Sequence, residues 1–363
     1  MKVVETDIEE IASRIEDIVD VFSGKRIVFA GGGGFLGRYF RAVIAQLNRK
    51  RLDQPCELVV IDNLITTSAD EKIDSDHCLF LERDVGERIK IDGTVDFVIN
   101  AAGIASPFYY RAYPLETLRA AVDGTRNLLE LADAKSAKFV FFSSSEIYGN
   151  PDSRNVPTQE SYRGSVASMG PRACYDESKR LGETLCFIYH DHYGLATNVI
   201  RPFNVYGPGM QETDYRILPN FASNIKAGRT LKVYGSGKQT RTYCYVTDAM
   251  NGFFRVVARG VAGEAYNVGG ENDATGLKVT QAILQHLNKS EDLIQFVEDR
   301  KGHDQRYALD SSKIGTLGWQ PQNDFQTAMQ RTIDWYVENQ DWWRTIKASE
   351  DYQNYYQRQY AQR

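Results

Sequence analysis

Cysteine is scarce in this chain of 363 residues, and Cys56, Cys78, Cys174, Cys186 and Cys244 are widely scattered. Their number is odd and no CxxC occurs, which argues against a disulfide framework and for a reducing, cytoplasmic setting. Histidine is equally sparse. His77, His190, His192, His286 and His303 show no metal-ligand spacing. His190 and His192 would diverge on a helix, so no metal is expected. No run reaches the ~18 apolar residues of a membrane span. The first residues, with Glu5, Asp7, Glu9 and Glu10, are acidic and unlike a signal peptide. A net charge of −5 gives no footprint for nucleic acid or an anionic membrane as partner. Internal repeats and low-complexity linkers are absent.

What is present is enough apolar sequence, 42%, to bury the core of about two domains. Residues 8–22 space Ile8, Ile11, Ile15, Ile18 and Phe22 at three and four, as in an amphipathic helix packed on its own domain, with Gly24 ending it. From Lys25 onward, strands and helices alternate. Strands are expected at 26–30, 57–61, 95–99, 138–142 and 197–201. Helices are expected at 35–49, 115–133 and 173–193. The strand runs are continuously apolar, as in strands buried on both faces. Alternation of this kind implies an α/β fold with a doubly wound parallel sheet. Past Arg201, loops rich in Gly and Pro at 207–209, 235–237 and 269–276 interrupt short elements. The expected organisation is an N-terminal helix (1–23), a cofactor domain (24–202 with 243–268), a smaller C-terminal substrate-binding domain (203–242 with 269–340) and an aromatic-rich tail (341–363).

Strand 26–30 runs straight into Gly31-Gly32-Gly33-Gly34-Phe35-Leu36-Gly37. Glycines at 31, 34 and 37 allow a tight turn whose backbone approaches a pyrophosphate, and the helix that follows offers its N-terminal N–H groups. A glycine run alone is weak evidence; its place between a strand and a helix strengthens it. Asp62 ends the next strand, where a carboxylate accepts the ribose hydroxyls of NAD and repels the 2′-phosphate of NADP. Asn63, not arginine, follows it. Asp84-Val85 stands where an acid meets an adenine, and Ala101-Ala102-Gly103 are small enough for a cofactor to lie close.

Tyr175 and Lys179 are four apart on an expected helix and share a face. Ser143-Ser144-Ser145-Glu146 follows strand 138–142, at the carboxyl end where a doubly wound sheet puts its ligand. A tyrosine hydroxyl titrating near 10 is a poor base unless a neighbouring ammonium stabilises the phenolate. A serine beside it can hold a sugar hydroxyl in line. Together these residues suit hydride transfer from a carbinol to NAD.

With these motifs the chain, from about residue 25 to 344, resembles the extended short-chain dehydrogenases that modify nucleotide sugars. Ala105-Ser106-Pro107 with Tyr110, Ser144–Gly149 and the long Gly170–Arg180 stretch look most like UDP-glucuronate decarboxylase. Val233–Arg241 is similar to the nucleotide-binding stretch of that family and its relatives. The resemblance implies a Rossmann-type fold and tightly held NAD. It implies Tyr175 as base, Lys179 as its activator, and Glu146 in proton transfer near C4 and C5. Ser144 and Ser145 would orient hydroxyl and carboxylate. Tyr110, Asn204, Val233, Tyr234, Arg241 and Arg306 would touch the nucleotide sugar. A homodimer packed through helices 115–133 and 173–193 is also implied.

Other segments point elsewhere. Ala120-Ala121 stand where the decarboxylases usually carry Thr-Asn. Arg201–Gly209 looks like epimerases. Gly302–Asp310, Trp335-Tyr336 and Trp342-Trp343 look like dTDP-glucose 4,6-dehydratases, which usually have Asp-Glu where this chain has Ser145-Glu146. Serine is a much poorer acid for expelling a hydroxyl. Decarboxylation of UDP-glucuronate therefore leads. A nucleotide-sugar 4,6-dehydratase, epimerase or C4 dehydrogenase is the alternative, and a non-catalytic NAD-binding protein the remote one.

Overall fold

The computed structural model describes residues 3–67, 72, 74–211, 221, 224, 229–298 and 306–348. The chain opens with α1 (Glu5–Arg14), followed by β1 (Arg26–Ala30), α2 (Phe35–Lys50), β2 (Glu57–Asp62), β3 (Cys78–Glu82) and β4 (Phe97–Asn100). Next come α3 (Pro107–Ala112), α4 (Pro114–Lys135), β5 (Lys138–Phe142), α5 (Ala173–Tyr193) and β6 (Thr197–Pro202). The expected helices and strands of this region are all present, with boundaries moved by one or two residues.

Seven parallel strands form one sheet in the order β3, β2, β1, β4, β5, β6 and then β10 (Ala265–Val268). β1, β4 and β5 are buried almost throughout, because helices cover both faces of the sheet. The order reverses between β1 and β4. At such a switch point the two connecting loops part and leave a crevice beyond the strand ends.

The remaining strands are β7 (Val205–Tyr206), β8 (Leu231–Tyr234), β9 (Thr240–Tyr245), β11 (Asn272–Thr275), β12 (Ile294–Val297) and β13 (Arg306–Tyr307). β9 pairs with β7, β11 and β13, and β8 pairs with β12. β11 corrects the sequence reading, which takes 269–276 as loop. Its register against β9, not its own Asn-Asp composition, makes it a strand. α6 (Val246–Arg259) and β10 return the chain to the large sheet.

The N-terminal segment packs on its own chain. Ile8, Ile11, Ile15, Ile18 and Phe22 are all buried in the core shared with α2 and α6. Each such burial is worth roughly 1.5–3 kcal/mol. The expected single helix over 8–22 is interrupted, however: α1 stops at Arg14 and a tighter 3-10 turn covers Glu16–Phe22. The Arg14 carbonyl is drawn out of the helix by Asn251 (3.2 Å) and Arg255 (2.9 Å) of α6, and the Ile18 N–H bonds Ile15 O instead. α1 also carries Asp7, fully buried, whose carboxylate receives the hydroxyls of Tyr39 (2.9 Å) and Tyr245 (3.1 Å) and pairs with Arg331. Burial pushes the Asp7 carboxyl up while Arg331 and the two hydroxyls pull it back. The segment thereby joins α2, β9 and α7 (Phe325–Glu338).

Past α7, α8 (Gln340–Ala348) folds back so that the Trp343 indole N–H donates to Tyr336 O at 2.8 Å and Trp342 meets Trp335 edge-on. This start of the tail docks on the body; Tyr352, Tyr355, Tyr356 and Tyr360 lie outside the described residues. The five cysteines are free thiols. Among the described residues no helix is long and apolar enough to cross a membrane.

Candidate active site

The glycine turn is packed too closely for a side chain at Gly31 or Gly37. Gly31 has φ +90°, and a Cβ there would lie 2.6 Å from the Ala101 carbonyl. A Cβ on Gly37 would lie 2.3 Å from Gly31 O. The turn therefore lies flush against the residue after β4 and hands the chain to α2 with Gly34 as N-cap. Phe35 and Leu36, in the first turn of α2, pack on the core below. Arg38 is the first residue of α2 bonded back to Gly34, so the N–H groups of the turn before it point out of the helix end, the kind of site that suits an anion.

Asp62 stands at the end of β2 beside this turn. Its oxygens accept N–H bonds from Gly33 (2.8 Å) and Leu64 (2.9 Å), which leaves each a further lone pair. Burial pushes its carboxyl up, and the two N–H bonds and Arg41 hold it down. One cleft gathers Gly31, Gly34, Asp62, Asn63, Asp84, Val85, Ala101 and Ala102. Ile65, Arg83, Gly103 and Glu116 also line it, and of these the sequence reading names only Gly103. Asp84 accepts the Gly86 N–H at 2.7 Å and lies 3.5 Å from the Asn63 amide. A side-chain-free turn, a helix N-terminus and a buried carboxylate on one cleft fit a dinucleotide such as NAD.

The catalytic candidates adjoin the same cleft. A 3-10 turn, Ser145–Tyr148, follows β5, and Ser144 caps it by accepting the Glu146 N–H at 3.2 Å. Behind it, Ser143 donates to Glu183 at 2.5 Å, and Arg201 grips Glu183 through two nitrogens. Lys179 is buried and donates to Phe142 O at 2.7 Å, with its nitrogen 5.9 Å from the centre of the Tyr175 ring. Burial pulls its ammonium down to about 8, against the attraction of Glu183. A Cβ on Gly103 would lie 3.0 Å from the Lys179 nitrogen, so the loop after β4 touches the dyad directly. Tyr110, on α3, stacks on Tyr175 with centroids 5.5 Å apart and planes 14° apart.

Arg172 is the residue that sequence reasoning leaves without a role. It precedes α5 by one residue, pairs with Glu146, and stands 3.6 Å from Asp176. A cation three residues ahead of Tyr175 at a helix start was the available signal.

The other substrate candidates lie farther along the chain. Asn204 adopts φ +41° and spends its amide on Thr242 O (3.1 Å), tying itself to β9. Arg241 lies on β9 and donates to Thr240 O. Val233 and Tyr234 lie on β8, Val233 in the core. Arg306 is placed by its backbone alone, in β13 beside Thr240. His303, Asp304 and Gln305 lie outside the described residues.

A doubly wound parallel sheet with a glycine turn, an acid at the end of β2 and a Tyr/Lys pair defines a nicotinamide-dependent enzyme of the short-chain dehydrogenase type. Residues 27–269 match the NAD dependent epimerase/dehydratase family, and the chain belongs to that family. It is 34% identical over 316 residues to UDP-glucuronic acid decarboxylase 1 of Danio rerio, covering 86% of this chain and 72% of that one. It is also 34% identical over 303 residues to UDP-glucuronic acid decarboxylase 5 of Arabidopsis thaliana, covering 82% and 85%. Among solved structures, dTDP-glucose 4,6-dehydratase of Streptomyces venezuelae with NAD bound superposes with a TM-score of 0.77 at 30% identity, covering 89% of this chain and 100% of that one. The UDP-glucose 4-epimerase of Thermotoga maritima, at 22% identity and a TM-score of 0.75, shares the fold.

Proposed function

We propose that the protein converts UDP-glucuronate to UDP-xylose, and that NAD is the cofactor its cleft holds. Held by the glycine turn and Asp62, NAD would supply a reversible hydride acceptor for the sugar C4. Tyr175 accepts the C4 hydroxyl proton, and the Lys179 ammonium beside it favours the phenolate. The resulting C4 ketone is β to the C6 carboxylate. The C5–C6 bond breaks, carbon dioxide leaves, and the electron pair moves to the C4 oxygen. Glu146 handles the proton that then arrives at C5. Ser144 and Ser145 hold the C4 hydroxyl and the carboxylate in line. Tyr175 returns its proton to the C4 oxygen when the ketone is reduced.

The observation that carries this reading is Arg172 beside Glu146 at a dehydrogenase site whose residue 145 is serine. A guanidinium suits a carboxylate through paired N–H donors. A serine supplies no acid to expel a C6 hydroxyl, which weighs against 4,6-dehydration. Incubation with UDP-glucuronate, followed by mass spectrometry, tests the reading. Loss of carbon dioxide to give a UDP-pentose supports it. An unchanged mass, with NAD bound, rejects it and directs the search to UDP-, dTDP-, CDP- and GDP-hexoses.

In this reading residues 24–202 and 243–268 hold the cofactor, and 203–242 with 269–340 cover the sugar nucleotide. A second copy of the chain packs along α4 and α5, which pack on each other and leave Leu115, Leu118, Leu181 and Phe187 exposed to solvent. Sedimentation at micromolar concentration should give a dimer; a monomer rejects the pairing. The cytoplasm, a reducing compartment, suits the free thiols.

A further inference from the structure

We infer that Asp176 is a positioning residue that anchors Arg172 for the substrate carboxylate. The inference rests on the decarboxylase reading and assigns a part of the site that the reading leaves open.

Arg172 lies between two acids. Glu146 comes from the turn after β5, and Asp176 from the first turns of α5. The two acids differ in setting. The Glu146 side chain is about a third exposed, at 34%, whereas that of Asp176 is 11% exposed. One oxygen of Asp176 lies 3.6 Å from the Arg172 Nε. The other is buried and accepts no hydrogen bond from any described residue. A buried carboxylate with an oxygen unsatisfied is costly to keep. It is placed directly after the reacting tyrosine, where an apolar residue would carry no such cost. Its electrostatic neighbours are Arg172, Glu177 and Cys174 on or next to α5, and Tyr110 on α3. Arg172 is the only cation among them.

The geometry sorts the roles. An arriving C6 carboxylate competes with Glu146 for the exposed side of Arg172. Glu146 is released toward C5, where its proton chemistry is needed. Asp176 cannot leave, because α5 fixes it, so it keeps the guanidinium at the mouth of the site while the partner on the other side changes. A cation held only by Glu146 would have nothing to keep it in place at that exchange.

Burial pushes the Asp176 carboxyl up to about 6, opposed by Arg172 and reinforced by Glu177. The group is therefore charged above that pH and neutral below it. Arg172 loses its anchor as pH falls through 6, while the sugar carboxylate, an ordinary acid titrating well below this range, stays charged.

Steady-state kinetics on the full-length enzyme with UDP-glucuronate, and inhibition by UDP-glucose, test this. In the wild type, KM for UDP-glucuronate should rise as pH falls from 7 to 5, while Ki for UDP-glucose, whose esterified diphosphate does not titrate in that range, stays level. Asp176→Asn should raise KM at pH 7.5 by about fivefold, the size of a half-exposed ion pair. It should keep kcat within about threefold, leave Ki for UDP-glucose unchanged, and flatten the pH dependence of KM. Asp176→Glu should recover part of the loss. A KM that does not rise in acid in the wild type overturns the proposal without any variant. So does an Asp176→Asn enzyme with wild-type KM, or one whose KM and UDP-glucose Ki worsen together. A wild type that never decarboxylates UDP-glucuronate removes the reaction assignment instead, which is a separate failure.

Discussion

The Lys179 ammonium donates a 2.7 Å hydrogen bond to the Phe142 carbonyl, the last of β5. That single contact ties the helix bearing Tyr175 to the strand that presents Ser144, Ser145 and Glu146. It also spends one of the three ammonium protons on structure and leaves two for chemistry. The dyad and the serine–glutamate turn are thus held as one unit, at the strand ends where the cofactor cleft opens.

Replacing Tyr175 by Phe keeps the ring that stacks on Tyr110 and removes the hydroxyl alone. Turnover should fall by about 10²–10⁴-fold, the usual contribution of a positioned acid–base group. Bound NAD, measured by extraction and absorbance, should stay at wild-type occupancy.

The buried ammonium should be visible in stability as well. Lys179 titrates near 8 in the folded protein, below its ordinary value of 10.5. Between those values the unfolded chain binds more protons, so unfolding free energy rises with pH across the window. Below about 8 the full cost of the buried charge applies. Urea melts from pH 7.5 to 10.5 should show the rise, and Lys179→Met should remove its share of the slope while abolishing turnover.

Much of this site was legible in the sequence because its parts depend on residue type at close spacing. Only glycine fits where a Cβ at position 31 or 37 would strike backbone, and only a carboxylate ending β2 meets both the Gly33 and Leu64 N–H groups. The illegible parts depend on distant partners. Nothing near Asp7 in sequence announces Tyr39, Tyr245 and Arg331. The break after Arg14 comes from Asn251 and Arg255, over two hundred residues away. Arg172 gains a meaning only once the turn after β5 brings Glu146 to it.

The glycine turn yields a cofactor prediction. Gly37→Ala places a methyl 2.3 Å from Gly31 O, a distance that backbone must move to relieve. The purified variant should carry little NAD, and added NAD should bind at least tenfold more weakly by calorimetry.

The N-terminal segment is packed into the core through Ile8, Ile11 and the buried Asp7. Asp7→Ala strips the acceptor from two buried hydroxyls and the ion-pair partner from Arg331. Urea denaturation should show a loss of about 3 kcal/mol, as for a broken buried pair, and Asp7→Asn a smaller one. The Asn variant keeps the shape and part of the hydrogen bonding.

In the proposed cycle oxidation, loss of carbon dioxide and reduction happen at one sugar without its release. UDP-glucuronate deuterated at C4 should therefore give a UDP-pentose that retains the deuterium at C4, with no free NADH accumulating. Label lost from C4, free NADH with a keto sugar, or a UDP-hexuronate with its carboxylate intact would contradict it.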